Sequence, residues 1–339
     1  MATHEVISAE TWWTGAAAAA VVAAAAAARG TVAARDTTAL PAGWWGLAAA
    51  LWLAADCQLR ASGTVTQPPL AATVRLLTVA LAVSPAMSLL GAKRPQHGVW
   101  QAIVAALGLV LVVPAVGVAL ARPGSVPDVH LLARAFVVLL LFVGWMNALG
   151  TRRWPGATLA LPGWIVLARG FLPLCDTEGS FPPSGAAAAV DAARLDALGA
   201  TLVAAGAAAA LLARLAARRS AASAPAGGSF ASAVDPAWFA LRDTLGAAWS
   251  LRVAERFDQV AARHAWPCRL GLRGVVAPAV TGGETWPHDA RRVLRGLLLR
   301  FVTPAWLERH QWPADRGNVR GRAAHTVDSR LPPDGEPAA

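Results

Sequence analysis

The sequence predicts an all-α membrane protein: seven transmembrane helices, partly built from repeated hairpins, followed by a small, mainly helical cytoplasmic domain. Three observations predict it. The 339 residues are 56% hydrophobic and only 15% charged, against about 25% charged in an ordinary soluble domain. Seven apolar runs occupy the first two thirds of the chain. Beyond them the apolar residues change to amphipathic spacing. The expected organisation is a bundle over 1–219, a linker over 220–229, a helical domain over 230–312 and a disordered tail over 313–339.

Residues 1–11 are polar and slightly acidic through Glu5 and Glu10, without the basic start of a secretory signal. The first run, 12–28, opens on Trp12-Trp13 and is nearly all alanine and valine. The second, 39–55, carries Trp44, Trp45 and Trp52 and is at the short limit for a ~30 Å hydrocarbon core. The third to sixth runs cover 70–92, 98–121, 129–150 and 156–174, and the seventh 197–213. Small residues let helix backbones approach closely, so the alanine-rich first and seventh helices are expected to pack inside the protein. Tryptophans near many helix ends suggest an interfacial belt.

The loops set the orientation. Arg29 and Arg35 follow the first run, Lys93 and Arg94 the third, Arg152 and Arg153 the fifth, and Arg214, Arg218 and Arg219 the seventh. The other loops are mixed or acidic. By the positive-inside rule the amino terminus lies outside and the carboxyl terminus in the cytoplasm. A formal net charge of +10 is explained by these loops. No Lys/Arg run with interleaved aromatics points to nucleic acid. Lys93 is the sole lysine and tyrosine is absent, a bias of a G- and C-rich genome, and a bacterial cytoplasmic membrane is expected.

Residues 70–174 read as two copies of one helical hairpin. With Gly91 aligned on Gly150, Arg75 falls on Arg134, Met87 on Met146, Leu90 on Leu149, Lys93-Arg94 on Arg152-Arg153 and Pro114 on Pro173. The likeness extends to Leu40-Pro41-Ala42-Gly43-Trp44 and Leu161-Pro162-Gly163-Trp164, which lead helices ending in Asp56-Cys57 and Cys175-Asp176.

After the linker, Asp235-Pro236 has the form of a helix start. Leu241, Leu245, Trp249, Val253, Phe257 and Ala261 recur every four residues, which predicts one long amphipathic helix ended by Pro267. Residues 268–276 read as a short strand, and 289–302 as a second helix, basic at Arg291, Arg292, Arg295 and Arg300. That helix either docks on anionic lipid or packs Leu294 and Leu298 on the long helix. Thr303-Pro304 starts a final short turn.

No motif assigns a catalytic residue, a metal ligand or a cofactor. Cys57, Cys175 and Cys268 lie far apart, with neither CxxC nor HExxH spacing. A retinal Schiff base would need a lysine in the seventh helix, and 197–213 has none. Asp176 and Glu178 near Ser180 read as a solvated acidic loop. Cys57 and Cys175, each just beyond an outer helix end, are a candidate disulfide; two unpaired thiols are the plainer reading.

The remaining polar residues are arginines inside helices. Arg75 and Arg134 each lie sixteen positions before their repeat glycine, about 24 Å above the inner turn. Arg169 sits at similar depth on the sixth helix. Closeness to the surface favours snorkelling of all three to outer headgroups. The alternative is convergence on an anionic group, in a polar cluster with Asp56 or Asp196. Three function classes remain: a non-enzymatic anchor, scaffold or regulatory protein with a cytoplasmic protein partner besides the bilayer, a transporter or channel for a small anionic solute, and a membrane enzyme with an outward-facing site.

Overall fold

The computed structural model describes residues 8–65, 68–93, 97–121, 129–173, 186–222, 229–278 and 285–313. The protein is mostly helical. Seven helices come first: α1 (Ala9–Ala33), α2 (Leu40–Ala61), α3 (Pro68–Leu90), α4 (His97–Ala121), α5 (Leu131–Ala148), α6 (Trp154–Ala168) and α7 (Ala186–Ala222). Five of them, α1, α3, α4, α5 and α7, are long and apolar enough to cross a membrane. The fifteen residues of α6 reach only about 23 Å at 1.5 Å per residue. A 3-10 turn, Arg169–Phe171, extends it. In α2, three tryptophans and the polar Asp56, Gln58 and Arg60 dilute the apolar character.

The interior helix is α3. Leu76, Val79, Ala80, Val83 and Met87 recur at helical spacing, and they are buried with Val104, Leu111 and Ala115 of α4 and Val137 and Leu140 of α5. The outer faces of α4 and α5 leave Leu109, Val110, Val113, Leu139 and Phe142 exposed, as lipid-facing helices would.

Small residues do a narrower job than expected. One face of α1, with Ala16, Ala20, Ala23 and Ala24, is buried in a cluster with Leu53 of α2 and Ala200 of α7, while Val21 and Val22 are exposed. A Cβ built on Gly156 would lie 2.4 Å from the carbonyl oxygen of Gly206, and one on Gly163 2.6 Å from that of Gly199. The antiparallel helices α6 and α7 therefore touch backbone to backbone at two points, one heptad apart. Close approach uses one face of a helix; of the five membrane-length helices among the described residues, α3 is the most enclosed.

Several tryptophans turn inward rather than to an interfacial belt. Trp45 Nε1 donates to Gln101 Oε1 (3.1 Å) and Trp52 Nε1 to Val74 O (3.2 Å). Trp100 Nε1 donates to Met87 O (2.7 Å), a last-turn carbonyl of α3 that has no helical partner. The Trp100 ring occupies the space a Cβ on Gly91 would need.

The second unit comprises α8 (Phe230–Leu245), α9 (Ala247–Arg263), β1 (Arg269–Gly271), β2 (Gly274–Val276), α10 (Trp286–Leu298) and α11 (Pro304–Arg309). Its core holds Trp238, Phe257, Leu294, Leu298, Trp306 and Leu307. Three sequence expectations are corrected. The long amphipathic helix is two helices, because Gly246 breaks it at φ 87°, a region open to glycine and costly for other residues. The first begins earlier, with Ser229 as N-cap accepting from Ser232 N; Asp235 instead accepts from Val275 N of the hairpin (2.9 Å). The predicted strand is an antiparallel hairpin, pairing Arg269 with Val276 and Leu270 with Val275. The two apolar faces of α9 and α10 do meet: Leu294 and Leu298 are buried, while Arg292 and Arg300 are exposed. The expected tail lies outside the described residues.

Candidate functional site

The first polar assembly is made where the end of α2 meets the first turns of α3, the end of α6 and α7. Asp56 and Arg60 are one helical turn apart, so their side chains share a face, and Arg60 Nε donates to Asp56 Oδ1 (2.7 Å). Arg75 Nε donates to Asp56 Oδ2 (2.6 Å). Its Nη1 and Nη2 form a two-pronged pair with Asp196 Oδ1 (2.9 Å) and Oδ2 (3.2 Å). Arg169 Nη1 donates to Asp196 Oδ1 (2.5 Å) and Val166 O (2.8 Å). Every carboxylate oxygen thus accepts at least one guanidinium N–H. Arg75 is 3% exposed and Asp56 fully buried, so the pairing is made with water excluded. A charge in a helix costs about 2.5–3.5 kcal/mol at a bilayer centre, and the paired geometry offsets it. Three arginines face two carboxylates, so one positive charge is in surplus.

Four of the five residues singled out from the sequence, Arg75, Arg169, Asp56 and Asp196, are brought together. Arg134 is not. Its Nε donates to Val129 O (2.7 Å), five residues upstream. Arg75, enclosed by protein, does not snorkel. Its repeat partner differs because α3 is interior and α5 peripheral, so equal depth does not imply an equal environment. Arg60 was not singled out, although its spacing from Asp56 carried the signal. Its guanidinium also bonds Ala71 O (2.8 Å) and lies 5.1 Å from the Trp13 ring centre. Beside the cluster, Cys57 is fully buried, with no disulfide partner among the described residues. Cys175, Asp176 and Glu178 lie outside the described residues, and so does the candidate Cys57–Cys175 bridge. Among the described residues no three His, Cys, Asp or Glu side chains gather into a possible metal site.

The second polar assembly is at the opposite ends of these helices, where the C-terminal unit is docked. Asn147, in the last turn of α5, inserts its amide into the break between α8 and α9. Its Nδ2 donates to Leu245 O (3.1 Å), and its Oδ1 accepts from Ala248 N (3.0 Å). One side chain therefore satisfies the end of one helix and the start of the next. A Cβ on Gly246 would lie 2.2 Å from Asn147 Nδ2, so glycine is required both for its φ and for this approach. Trp249 Nε1 of α9 donates to Leu89 O at the end of α3 (2.6 Å). The loop after α1 is bound too: Thr38 N donates to Phe301 O (2.8 Å), Thr303 N to Asp36 O (3.0 Å), and Arg309 pairs with Asp36 (2.5 Å). Ala39 and Ala92 of the helical bundle are buried in the domain's own core. The unit is seated on the bundle by backbone and side-chain bonds at three separate loops. No family model, curated protein or solved structure matches this chain significantly.

Proposed function

We propose that the chain is a non-enzymatic membrane scaffold or regulatory protein, whose seven-span bundle holds a cytoplasmic domain in fixed register against its inner face. The observation that carries this reading is the Asn147 insertion at Gly246, which joins an apolar helix end to the hinge of the polar unit. A merely tethered domain would need only a linker. Seven crossings, with the amino terminus outside, are supported by the way the ends of α1, α3 and α5 all meet the one domain into which α7 leads. The same ends carry Arg35, Lys93, Arg152 and Arg153, the charges the positive-inside rule places in the cytoplasm. In this reading the bacterial cytoplasmic membrane is the site, and the partner is a cytoplasmic protein bound by the exposed surface of the domain.

A reporter active only in the cytoplasm is expected to give signal when fused after Arg219 and none after Asp191. Signal at both points would remove the seventh crossing and the scaffold's geometry with it. Site-directed crosslinking from exposed Arg256 or Arg292 in intact cells then identifies the partner; crosslinks to lipid alone would defeat the scaffold reading.

A second reading, a transporter for a small anion, is favoured by the surplus positive charge of the Arg75 cluster. The two differ in a truncation. A transporter keeps its solute flux without residues 229–313, whereas the scaffold loses its partner.

A further inference from the structure

A cavity of about 270 Å³ opens where α1, α2, α3 and α7 meet the docked domain. Most of its wall is alanine and glycine, closed on the α3 side by Pro85 and Leu89. Its polar lining is Thr31, Thr244, Arg153 and Arg214. Thr31 and Thr244 donate their hydroxyl protons to their own helices, at Ala27 O (2.9 Å) and Ala240 O (2.7 Å). The donor these residues leave for a guest is therefore the guanidinium of Arg153. Arg153, half-buried ahead of α6, uses its backbone N–H on Thr151, and its guanidinium has no hydrogen bond or ion pair among the described residues. No carboxylate is among the described lining residues. Asp243, whose charge acts on Arg153, is already held by Arg242 (2.8 Å) and by the Arg152 N–H (3.1 Å).

We propose that this cavity binds a phosphate-bearing anion, with Arg153 as its principal donor and Arg214 as a second positive charge. Arg214 lines the same cavity, and its positive charge acts against that of Arg153, a repulsion that an anion bound at Arg153 relieves. Burial, followed by the charge of Arg214 and partly opposed by Asp243, pushes Arg153 down to about 10, so it remains cationic at neutral pH. A planar guanidinium matches phosphate oxygens in two-pronged geometry. The volume lies just under the ~300–1,000 Å³ of sites for drug-sized ligands, which suits one phosphate with a short substituent. Basic pockets between helices at the cytoplasmic face take phospholipid headgroups, and a small soluble phosphate ester presents the same chemistry. Thr244 lies two positions before the Gly246 break, so the guest would touch bundle and domain together. The proposal needs only the cavity, and it stands or falls apart from the scaffold reading.

The test uses the purified full chain. Inorganic phosphate is titrated in non-ionic detergent against chloride at matched ionic strength. Separately, the chain is placed in phosphatidylcholine nanodiscs with and without phosphatidylglycerol. The thermal unfolding midpoint is expected to rise and saturate, the rise to vanish in Arg153→Gln, and to persist in Arg292→Gln, whose arginine is exposed. Arg153→Lys is expected to need about tenfold more phosphate, as a point charge replaces a fork. A rise with free phosphate identifies a soluble ligand, and a rise only with phosphatidylglycerol a lipid. No saturable rise in either medium, or an equal rise in Arg153→Gln, overturns the proposal. Should the variants not fold, native mass spectrometry of the wild type after incubation with phosphate or phosphatidylglycerol decides: no retained phosphate-bearing mass overturns it.

Discussion

Arg75 keeps its charge inside an apolar bundle because both neighbouring carboxylates are aimed at it. Removing one partner from a buried pair leaves the other uncompensated, at a cost of about 3–5 kcal/mol. Asp196→Asn is therefore expected to lower the unfolding midpoint in detergent sharply, because it weakens both Arg75 and Arg169. Arg134→Gln should cost much less, since α5 is peripheral and its arginine is half-buried; equal losses would refute the distinction. Asp235 in the domain responds to pH. Burial, ahead of the Val275 N–H that opposes it, raises its carboxyl above the usual range. The folded state then binds the proton more tightly than the unfolded chain. That contribution is fully present below about pH 3.9 and is lost as pH rises through the raised folded value. Asp235→Asn, which can still accept from Val275 N, should remove this acid-side gain, as read by thermal unfolding from mildly acidic to neutral pH.

Glycines at two junctions control how elements meet. At α6–α7, an alanine at Gly206 would put its Cβ 2.4 Å from the Gly156 carbonyl. The helices must separate, and overpacking of this kind costs about 1–3 kcal/mol. Gly117→Ala, with nothing within 4 Å of the new atom, is the control expected not to lower the midpoint, since alanine is the better helix former. At α8–α9, Gly246→Ala strains a positive φ and collides with Asn147, while Asn147→Leu leaves Leu245 O and Ala248 N without their partner. Both changes should release the domain while leaving α3 intact, seen as faster hydrogen exchange across α8 and α9 than in the bundle. Uniform exchange would mean that the insertion does not hold the domain.

At the scale of the whole molecule, the helices are tied at both ends. The Arg75 cluster joins α2, α3, α6 and α7 at one end, and the docked domain joins the ends of α1, α3 and α5 at the other. Trp249→Ala, which removes the indole bond to Leu89 O and the packing on Phe301, should therefore lower the unfolding midpoint of the bundle as well as that of the domain. Two separate transitions, with only the domain shifted, would argue that the parts unfold independently.

The apolar runs determined by themselves that the chain is helical and suited to a membrane, because burying backbone in hydrocarbon demands long, internally bonded segments. The helical period of α9 and α10 and the Thr303-Pro304 start were likewise legible, being local. Cluster membership was not. Arg75 and Arg134 occupy matching positions in a repeat, and only packing decided that one lies between two carboxylates and the other on an edge helix. The break at Gly246 was hidden for the same reason: an apolar stripe continues across it, and what selects the broken form is an asparagine about a hundred residues away. Pairings between distant residues depend on which faces meet, and an amphipathic pattern specifies that a face is buried without naming its partner.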